Sequence, residues 1–430
     1  MSEELSVIAE GRLVGRIRRN HERLQFRYDP GWQAYEGAYP LSLSMPLVAV
    51  EHEHAAIDPF LRGLLPDNAQ VLEQWGRRYH VSHHSPFKLL WHVGEDCAGA
   101  VQFVPHARED ELLGAGAQGD IQWLTEEDLA GRIQNLLENH GSVRNAADRG
   151  QFSLAGAQPK TALYRNPQDG RWGVPSGHTP TTHILKPSAE RFAGYAENEH
   201  FCLALARGLG LRVPDSTVIH PGGRPVIVVT RYDRTLQEDG RYRRIHQEDF
   251  CQALGVRPGQ KYENEGGPSA RAIADLLRDV SSAPREDVAL FAGALAFNWL
   301  IAGTDAHAKN YSLLIAARRQ VRLAPLYDLA SALPYPRDID PHKAKLAMKI
   351  GSKYRIRAIG REHWVACARG LGMPAGALLE LIGGMAERLP DVAVETAHEV
   401  SARGIEHPVI GRIVEGLGVH VRGCRERLVG

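Results

Sequence analysis

The stretch Gly303-Thr-Asp-Ala-His-Ala-Lys-Asn310 directly follows the apolar run 288–302. An acid, a histidine, a lysine and an amide so close together are poor material for a core, so the pattern indicates a loop after a buried helix. Asp305 and Asn310 have the Asp-x-x-x-x-Asn spacing of a kinase catalytic loop, where the carboxylate accepts a hydroxyl proton and the amide oxygen binds Mg²⁺. A hydrolase with two carboxylates would also use Asp305, but it would leave Asn310 without a role. The stretch therefore favours a kinase-like α+β fold.

A second acidic position lies further along the chain. Asp328, in Leu326-Tyr-Asp-Leu329, comes eighteen residues after Asn310, and the segments 311–315 and 320–324 between them read as a β-hairpin. A second Mg²⁺ carboxylate occupies this place in kinase-like folds. The alternative is an aspartate in an ordinary turn.

Upstream, Ser153-Leu-Ala-Gly-Ala-Gln-Pro-Lys160 precedes the predicted strand 161–164. Small residues allow a turn whose backbone N–H groups approach anionic oxygens. One glycine among small residues also fits an ordinary β-turn, so the segment is a phosphate loop only if its surroundings agree.

A lysine and a glutamate follow in the order that a kinase needs. Lys186 ends the predicted strand 182–185 and can pair with phosphate, although lysines at strand ends are often simply exposed. Glu199, in the predicted helix 196–209, can orient that lysine through an ion pair, whereas Glu197 is expected on a solvated face. Phosphate loop, lysine, glutamate, a β run that can act as a hinge, catalytic Asp/Asn and metal Asp then appear in kinase order, which is the main support for this interpretation.

The rest of the chain fits a globular protein of two or three domains. It has 430 residues, equal numbers of basic and acidic residues at 51 each, and five widely spaced cysteines. The zero net charge does not favour direct DNA binding, and no signal peptide or membrane-length apolar run is evident, so we expect a soluble cytoplasmic protein with no membrane association.

The N-terminal part reads as a small antiparallel sheet with helices. A capping box at Thr125 and Asp128 begins a convincing helix, and the polar stretch 141–151 suggests a domain boundary, giving a β-rich/α subdomain at 1–150 and a kinase core with a helical lobe at 151–430. The other expected elements are strands at 5–10, 11–15, 24–28 and 98–105, a helix over 57–75 that Pro66-Asp67-Asn68 interrupts, a loop or linker at 106–120, and the β run 225–232.

These motifs resemble the HipA family, the kinase toxins of bacterial HipBA toxin–antitoxin pairs. The resemblance spans nearly the whole chain. It is carried by residues 41–47, 60–67, 153–158, 160–163, 183–186, Arg231-Tyr-Asp-Arg234, Thr304-Asp-Ala-His-Ala-Lys-Asn310 and Tyr327-Asp-Leu329.

The resemblance implies a two-lobed, protein-kinase-like fold and a role for each matching position. Asp305 would be the catalytic base, Asn310 and Asp328 the Mg²⁺ ligands, and Ser153 the serine that is autophosphorylated, which inactivates the enzyme. The implied ATP-binding residues are Ala155, Gly156, Ala157, Gln158, Pro159, Lys160, Lys186, the hinge Thr230, Arg231 and Tyr232, and His307, Ala308, Lys309, Asn310, Tyr327 and Asp328.

Two positions depart from the family pattern. Pro159 stands where members often carry Glu, and it offers no N–H and restricts Gln158. Thr230 stands where an acidic hinge residue is frequent, which changes little if only its backbone touches adenine.

The resemblance also implies cofactors and partners. These are ATP and Mg²⁺, a HipB-like helix-turn-helix antitoxin that reaches operator DNA on behalf of the complex, and a protein substrate such as an aminoacyl-tRNA synthetase, above all glutamyl-tRNA synthetase. Phosphorylation of that enzyme would arrest growth and favour persistence. Two other functions stay open: a small-molecule phosphotransferase, and a catalytically silent module that binds an antitoxin as a co-repressor.

Overall fold

The computed structural model describes residues 3–114, 119–139, 153–188 and 192–429. Within these ranges two antiparallel sheets precede a mainly helical lobe, which confirms the predicted α+β class with two lobes. The predicted domain boundary at residue 150 lies outside the described residues and stays a prediction. None of the helices in these ranges combines the length and the apolar character needed to span a membrane.

The first sheet is built from the N-terminal residues, and helices cover it. Its elements are β1 (Glu3–Ala9), β2 (Arg12–Asn20), β3 (Arg23–Tyr28), α1 (Pro30–Ala34), β4 (Glu51–Glu53), α2 (His54–Gly63), α3 (Ala69–Tyr79), α4 (Pro86–Val93) and β5 (Gln102–Pro105). The strand order is β4-β3-β2-β1-β5. The predicted helix is interrupted at Pro66-Asp67-Asn68 as expected, because Asn68 caps the N-terminus of α3.

The sequence predicts a loop or linker over 106–120, which holds for residues 112–114 and 119 but is wrong for the rest of the described part. Residues His106–Glu111 form a 3-10 helix, and a strand begins at Asp120. One acidic side chain explains why this segment forms regular structure. Glu109 is buried and accepts hydrogen bonds from Ser6 and from Arg16 Nη2, the latter at 2.9 Å. Residues 115–118 lie outside the described ranges.

The second sheet forms one wall of the cavity described below. Its elements are β6 (Asp120–Trp123), α5 (Glu126–Glu138), β7 (Thr161–Arg165), β8 (Trp172–Ser176), β9 (His183–Pro187), α6 (Tyr195–Gly208), β10 (Ser216–Ile219) and β11 (Val226–Thr230), in the strand order β10-β11-β9-β7-β8-β6. The capping box at Thr125 and Asp128 is present, and α5 packs Leu129 and Ile133 on this sheet.

The remaining residues form the larger lobe. Its elements are β12 (Arg234–Leu236), β13 (Tyr242–Arg244), β14 (His246–Asp249), α7 (Phe250–Ala253), α8 (Ala270–Val280), α9 (Pro284–Leu300), β15 (Ser312–Ala316), β16 (Gln320–Leu323), β17 (Lys345–Ile350), β18 (Lys353–Arg355), α10 (Arg361–Leu371), α11 (Ala375–Ala402) and α12 (Pro408–Val429). Helix α9 is buried along most of its length, as an apolar helix in the middle of a core should be. It ends where Gly303 N–H donates to Asn298 O at 2.7 Å, and this turn directs the next residues into the cavity.

Candidate active site

A cavity of about 440 Å³ lies between the second sheet, the 63–67 turn of the N-terminal part and the loop after α9. The predicted residues that line it are Ala155, Gly156, Ala157, Gln158, Lys160, Lys186, Glu199, Thr230, Arg231, Tyr232, Asp305, His307, Lys309, Asn310, Tyr327 and Asp328. Ser153, Pro159 and Ala308 are described but do not line the cavity. Residues that are far apart in sequence are therefore gathered around one space.

Lys186 is the centre of a group of charges at the cavity wall, which we call the cavity cluster and define as Lys160, Lys186, Glu199 and Asp328; Lys186 and Glu199 are buried, and the other two are half-buried. Strand β9 directs Lys186 inward, where its Nζ donates to Glu199 Oε1 at 2.7 Å and also to the carboxylate of Asp328. Only 6% of Lys186 and 2% of Glu199 are exposed. An ion pair so enclosed fixes the lysine in one direction.

The protonation states in the cavity cluster follow from burial and from neighbouring charges. Burial opposes the ammonium of Lys186, but Asp328 and Glu199 outweigh it and raise the pKa of the lysine above its ordinary value. Burial likewise opposes the carboxylate of Asp328, yet Lys186 and Lys160 hold its pKa below the ordinary value. Burial raises the pKa of Glu199 despite the nearby lysine. The cluster thus holds a firmly charged lysine beside a firmly charged aspartate.

Lys160 folds back beneath the predicted phosphate loop. Its Nζ donates to Ala155 O at 2.7 Å. Gly156 has a φ of +107°, a backbone conformation that residues with a side chain rarely adopt, so this turn favours glycine. Burial, helped by the charge of Lys186, lowers the pKa of Lys160 to about 8.

The loop after α9 holds Asp305 and Asn310 in a fixed relation. Asn310 Nδ2 donates to the backbone oxygen of Asp305 at 2.9 Å, which leaves the amide oxygen of Asn310 as its coordinating atom. The side chain of Asp305 accepts a hydrogen bond from the hydroxyl of Tyr262 at 2.6 Å. The carboxylate is therefore placed to receive a hydroxyl group from the cavity side.

The donor set at Asn310 and Asp328 fits Mg²⁺. Mg²⁺ is usually held by one or two protein oxygen ligands together with substrate phosphates and water. A carboxylate from Asp328 and an amide oxygen from Asn310 are ligands of that kind, and both residues line the same cavity as the predicted phosphate loop. Asp328 has a φ of +53°, a conformation in which aspartate is tolerated better than most residues.

His307 and Lys309 are committed to protein contacts. Lys309 Nζ lies 3.1 Å from Asp67 Oδ1 and 3.6 Å from Asp249 Oδ2. The ring of His307 meets that of Tyr262 edge to face at 5.0 Å, and burial lowers the pKa of His307 to about 4, so the imidazole is neutral at physiological pH. Both residues line the cavity, and each also contacts protein side chains: Lys309 contacts two aspartates, and His307 contacts Tyr262.

The predicted hinge contributes backbone to the cavity and sends one side chain elsewhere. The N–H groups of Thr230 and Arg231 donate to Asp215 O at 2.8 Å and to Thr182 O at 2.9 Å. The guanidinium of Arg231 bonds to Asp233 through Nε at 2.9 Å and through Nη2 at 2.7 Å.

Arg231 belongs to a second buried group, the interdomain cluster, which consists of Asp96, Arg231, Asp233, Arg234 and Arg244. Asp96 comes from the N-terminal part, and its Oδ1 accepts from Arg234 Nη2 at 3.0 Å. The N–H of Gly99 donates to Asp233 Oδ2 at 2.8 Å in return. The Arg231-Tyr-Asp-Arg234 motif therefore binds the N-terminal part to the hinge.

Ser153 and Glu197 occupy buried positions. The hydroxyl of Ser153 donates to Leu64 O at 2.8 Å, and its N–H donates to Asp96 O at 3.0 Å. The expectation that Glu197 lies on a solvated face is wrong, since it is 3% exposed on the buried first turn of α6.

Several residues that shape the site were missed by sequence reasoning, namely Asp67, Asp96, Asp249, Lys261 and Tyr262. Asp67 was predicted as part of a helix break and belongs to the matching segment 60–67, but no role in the site was assigned to it. The pair Lys261-Tyr262 stands inside the Pro- and Gly-rich stretch 257–268, and a lysine beside a tyrosine in such a loop was an available signal of function.

Comparisons with known proteins agree with this architecture. Residues 5–104 match the family model of the HipA N-terminal domain, and residues 152–393 match that of the HipA-like C-terminal domain. A putative kinase of Sinorhizobium fredii, Y4mE, is 39% identical over 399 residues, which cover 91% of this chain and 92% of the relative. The serine/threonine-protein kinase toxin HipA of Shewanella oneidensis is 29% identical over 386 residues, 86% of this chain and 83% of its own length.

A solved structure extends the comparison to three dimensions. The Shewanella oneidensis toxin–antitoxin complex of HipA, HipB and operator DNA contains a chain that matches with a TM-score of 0.81 at 25% identity, covering 99% of this chain and 97% of that chain. The two lobes and the cavity between them thus define a protein of the kinase-like class. The chain belongs to the HipA family, and the resemblance noted from its motifs is confirmed.

Proposed function

We propose that this protein is a serine/threonine protein kinase that uses ATP and Mg²⁺ and acts as the toxin of a toxin–antitoxin pair. The observation that carries the proposal is that one cavity gathers Asp305, Asn310, Asp328 and the Lys186–Glu199 pair beneath a glycine-containing loop. Phosphoryl transfer depends mainly on positioning and on charge stabilisation, and this arrangement supplies both.

Each side chain has a defined task in the reaction. The acceptor hydroxyl approaches Asp305 while the Tyr262 hydroxyl stays on Oδ1, and it gives its proton to the other carboxylate oxygen as its own oxygen attacks the γ-phosphorus. The bond from the γ-phosphorus to the bridging oxygen breaks, and ADP leaves. Lys186 pairs with the phosphates, and Asn310 and Asp328 would hold Mg²⁺, which would neutralise phosphate charge.

The hinge supports adenine through its backbone. Because the N–H groups of Thr230 and Arg231 are bonded within the protein, the Tyr232 N–H is the hinge donor that we assign to the base. The rings of Tyr232 and Tyr327 stack at 5.8 Å and form an aromatic floor on which a purine can rest.

Ser153 is the proposed site of autophosphorylation. Its buried hydroxyl must first leave Leu64 O, so modification requires the phosphate loop to open. A phosphoserine dianion could not return to that enclosed position and would compete with ATP for the same N–H groups, which makes the modification inactivating.

The proposed partners follow from the named relatives. One relative is called a serine/threonine-protein kinase toxin, and the matching structure contains HipB and operator DNA. We assign to this chain a HipB-like antitoxin, contact with DNA through that antitoxin, and a substrate among the aminoacyl-tRNA synthetases, with glutamyl-tRNA synthetase first. The expected outcome in the cell is growth arrest.

The test is phosphotransfer from Mg·ATP by unphosphorylated protein, alone and with glutamyl-tRNA synthetase, with sites read by mass spectrometry. Wild type should label Ser153 or the synthetase, and Asp305→Ala should label neither while keeping its melting temperature.

The other outcomes separate the alternatives. Self-labelling without synthetase labelling keeps the kinase and rejects that substrate. If folded wild type labels no protein, the protein-kinase proposal fails. A metabolite screen then distinguishes a small-molecule phosphotransferase from a silent module.

A further inference from the structure

The turn at Pro66-Asp67 in the N-terminal part touches the predicted phosphate loop directly. Pro66 and Gly156 form a parallel β-bridge, and the N–H of Asp67 donates to Gly156 O at 3.1 Å. The hydroxyl of Ser153 reaches Leu64 O in the same turn. The closed position of the loop is therefore defined by backbone from the N-terminal part.

The side chain of Asp67 points the other way, towards the loop after α9. Its Oδ1 lies 3.1 Å from Lys309 Nζ, and its Oδ2 lies 2.9 Å from Lys261 Nζ, with only 9% of the side chain exposed. Burial opposes the charge on this carboxylate, but the two lysines outweigh it and lower the pKa of Asp67. One aspartate is thus bound to the phosphate loop by its backbone and to two lysines by its side chain.

Both lysines lead on to the reacting groups. Lys309 precedes Asn310, the proposed Mg²⁺ ligand. Lys261 precedes Tyr262, whose hydroxyl donates to Asp305, and the oxygen of Lys261 accepts from the N–H of Ala308 at 3.3 Å. The separation of phosphate loop and catalytic base consequently depends on a residue of the N-terminal part.

We infer that Asp67 is a positioning residue for phosphoryl transfer, through which the N-terminal part holds the phosphate loop in register with Asp305 and Asn310. The inference rests on the proposed function. Small displacements of reacting groups reduce rates strongly, so a link between the donor site and the base affects the chemical step as well as ATP binding.

The test uses Asp67→Asn, which keeps the backbone N–H and the volume but removes the charge that binds the lysines. We expect kcat to fall about tenfold and KM for ATP to rise several-fold, since both loops lose their common anchor. Steady-state phosphotransfer and direct ATP binding would be measured below the melting temperature of each variant.

Glu109→Gln is the matched control. Glu109 lies in the same N-terminal part, its side chain is 10% exposed, and it pairs with Arg16 at 2.9 Å and accepts from Ser6, both of which belong to the N-terminal part. It should lower the melting temperature as Asp67→Asn does, yet leave kcat and KM within about twofold, because the ion pair that it weakens does not contact the active-site loops.

A second variant protects the test if Asp67→Asn does not fold. Lys261→Met cuts the link from Asp67 to Tyr262 in the larger lobe and should lower kcat more than it raises KM for ATP. Equal kinetic constants for Asp67→Asn and Glu109→Gln, or an unchanged kcat in Lys261→Met, would overturn the inference. An inactive wild type would instead refute the proposed function.

Discussion

The interdomain cluster and the cavity cluster are built from the same kinds of charges but are closed to different degrees. In the interdomain cluster, Asp96 forms ion pairs with Arg231, Arg234 and Arg244, and only 8% of its side chain is exposed. In the cavity cluster, Asp328 forms an ion pair with Lys186, and 35% of the Asp328 side chain is exposed. One group is enclosed on all sides, and the other presents a charged edge to a space.

This difference in exposure distinguishes charges that stabilise the fold from charges that can bind a ligand. A buried ion pair costs desolvation whichever role it has, so its presence alone says little. The guanidinium of Arg231 donates its hydrogen bonds to acceptors within the protein, including Thr181 Oγ1 at 2.8 Å and Cys97 O at 2.9 Å. Asp328, by contrast, keeps part of its side chain exposed at the cavity, where the proposed Mg²⁺ would bind.

Asp328→Asn should have the largest effect, because it removes a proposed Mg²⁺ ligand and the partner of Lys186 together. We expect kcat to fall by about 10³-fold, roughly 4 kcal/mol. Asparagine tolerates the φ of +53°, so thermal unfolding should stay close to wild type. Activity within tenfold of wild type in a Mg·ATP assay would contradict the role assigned to the cavity cluster.

Asp96→Ala should reverse the pattern and reduce stability while sparing chemistry. Removing the acid leaves three buried guanidinium groups with one aspartate, and we expect a loss of about 3 kcal/mol in the free energy of unfolding by urea. The kcat of the folded fraction should stay within a few-fold of wild type.

The control for this stability prediction is Asp215→Ala. Asp215 pairs with Arg207 at 2.8 Å, but 85% of its side chain is exposed, so its loss should cost less than about 0.5 kcal/mol. Equal losses for Asp96→Ala and Asp215→Ala would show that the interdomain cluster does not stabilise the fold. The pKa of Asp96 is lowered because its arginines outweigh burial, so this stability is present above the ordinary aspartate range and is lost as pH falls.

Most residues that line the cavity could be foreseen one by one because each carries a local signal, although Lys186 and Asp328, which pair in the structure, are 142 positions apart. Lys186 ends a recognisable strand, Glu199 follows one helical turn into α6, and the spacing of Asp305 and Asn310 lies within one loop. Each of these patterns reflects a geometry that a few neighbouring residues determine.

The interdomain cluster and the Asp67 contacts could not be foreseen in the same way. Asp96 and Arg234 are 138 positions apart, and Asp67 and Lys261 are 194 positions apart. No periodicity links such partners, since only the docking of whole elements brings them together. Strand β8 was missed for a local reason: it contains Gly173 and Pro175, and both residue types disfavour a strand in predictions from sequence.

Lys160→Met tests whether the cavity cluster faces a ligand, because the protonation of a charge that faces a ligand should change when the ligand binds. We expect ATP affinity to fall about tenfold, roughly 1.4 kcal/mol. In wild type the folded pKa of about 8 lies below the ordinary lysine value of 10.5, so Lys160 is about half protonated near pH 8. Phosphates that approach the ammonium raise its pKa, and binding should take up about half a proton at that pH.

The measurement is the ATP binding enthalpy of Asp305→Ala protein in buffers of different ionisation enthalpy. Proton uptake should disappear in the Lys160→Met double variant. Uptake that persists there would assign the proton to another group. The sign also holds for stability: between pH 8 and 10.5 the unfolded chain binds more protons at this position, so the contribution of Lys160 to the free energy of unfolding rises with pH.

Pro159→Ala should have the smallest effect, and it addresses the one place where the phosphate loop departs from the family pattern. Proline restricts the loop before Lys160, so alanine increases the number of open conformations that compete with the closed one. We expect KM for ATP to rise about twofold, roughly 0.4 kcal/mol, with kcat unchanged. Pro167→Ala, in the exposed turn between β7 and β8, is the control and should leave both constants unaltered. A lower KM in Pro159→Ala would mean that the proline holds the loop away from ATP, which would reverse the effect assigned to it here.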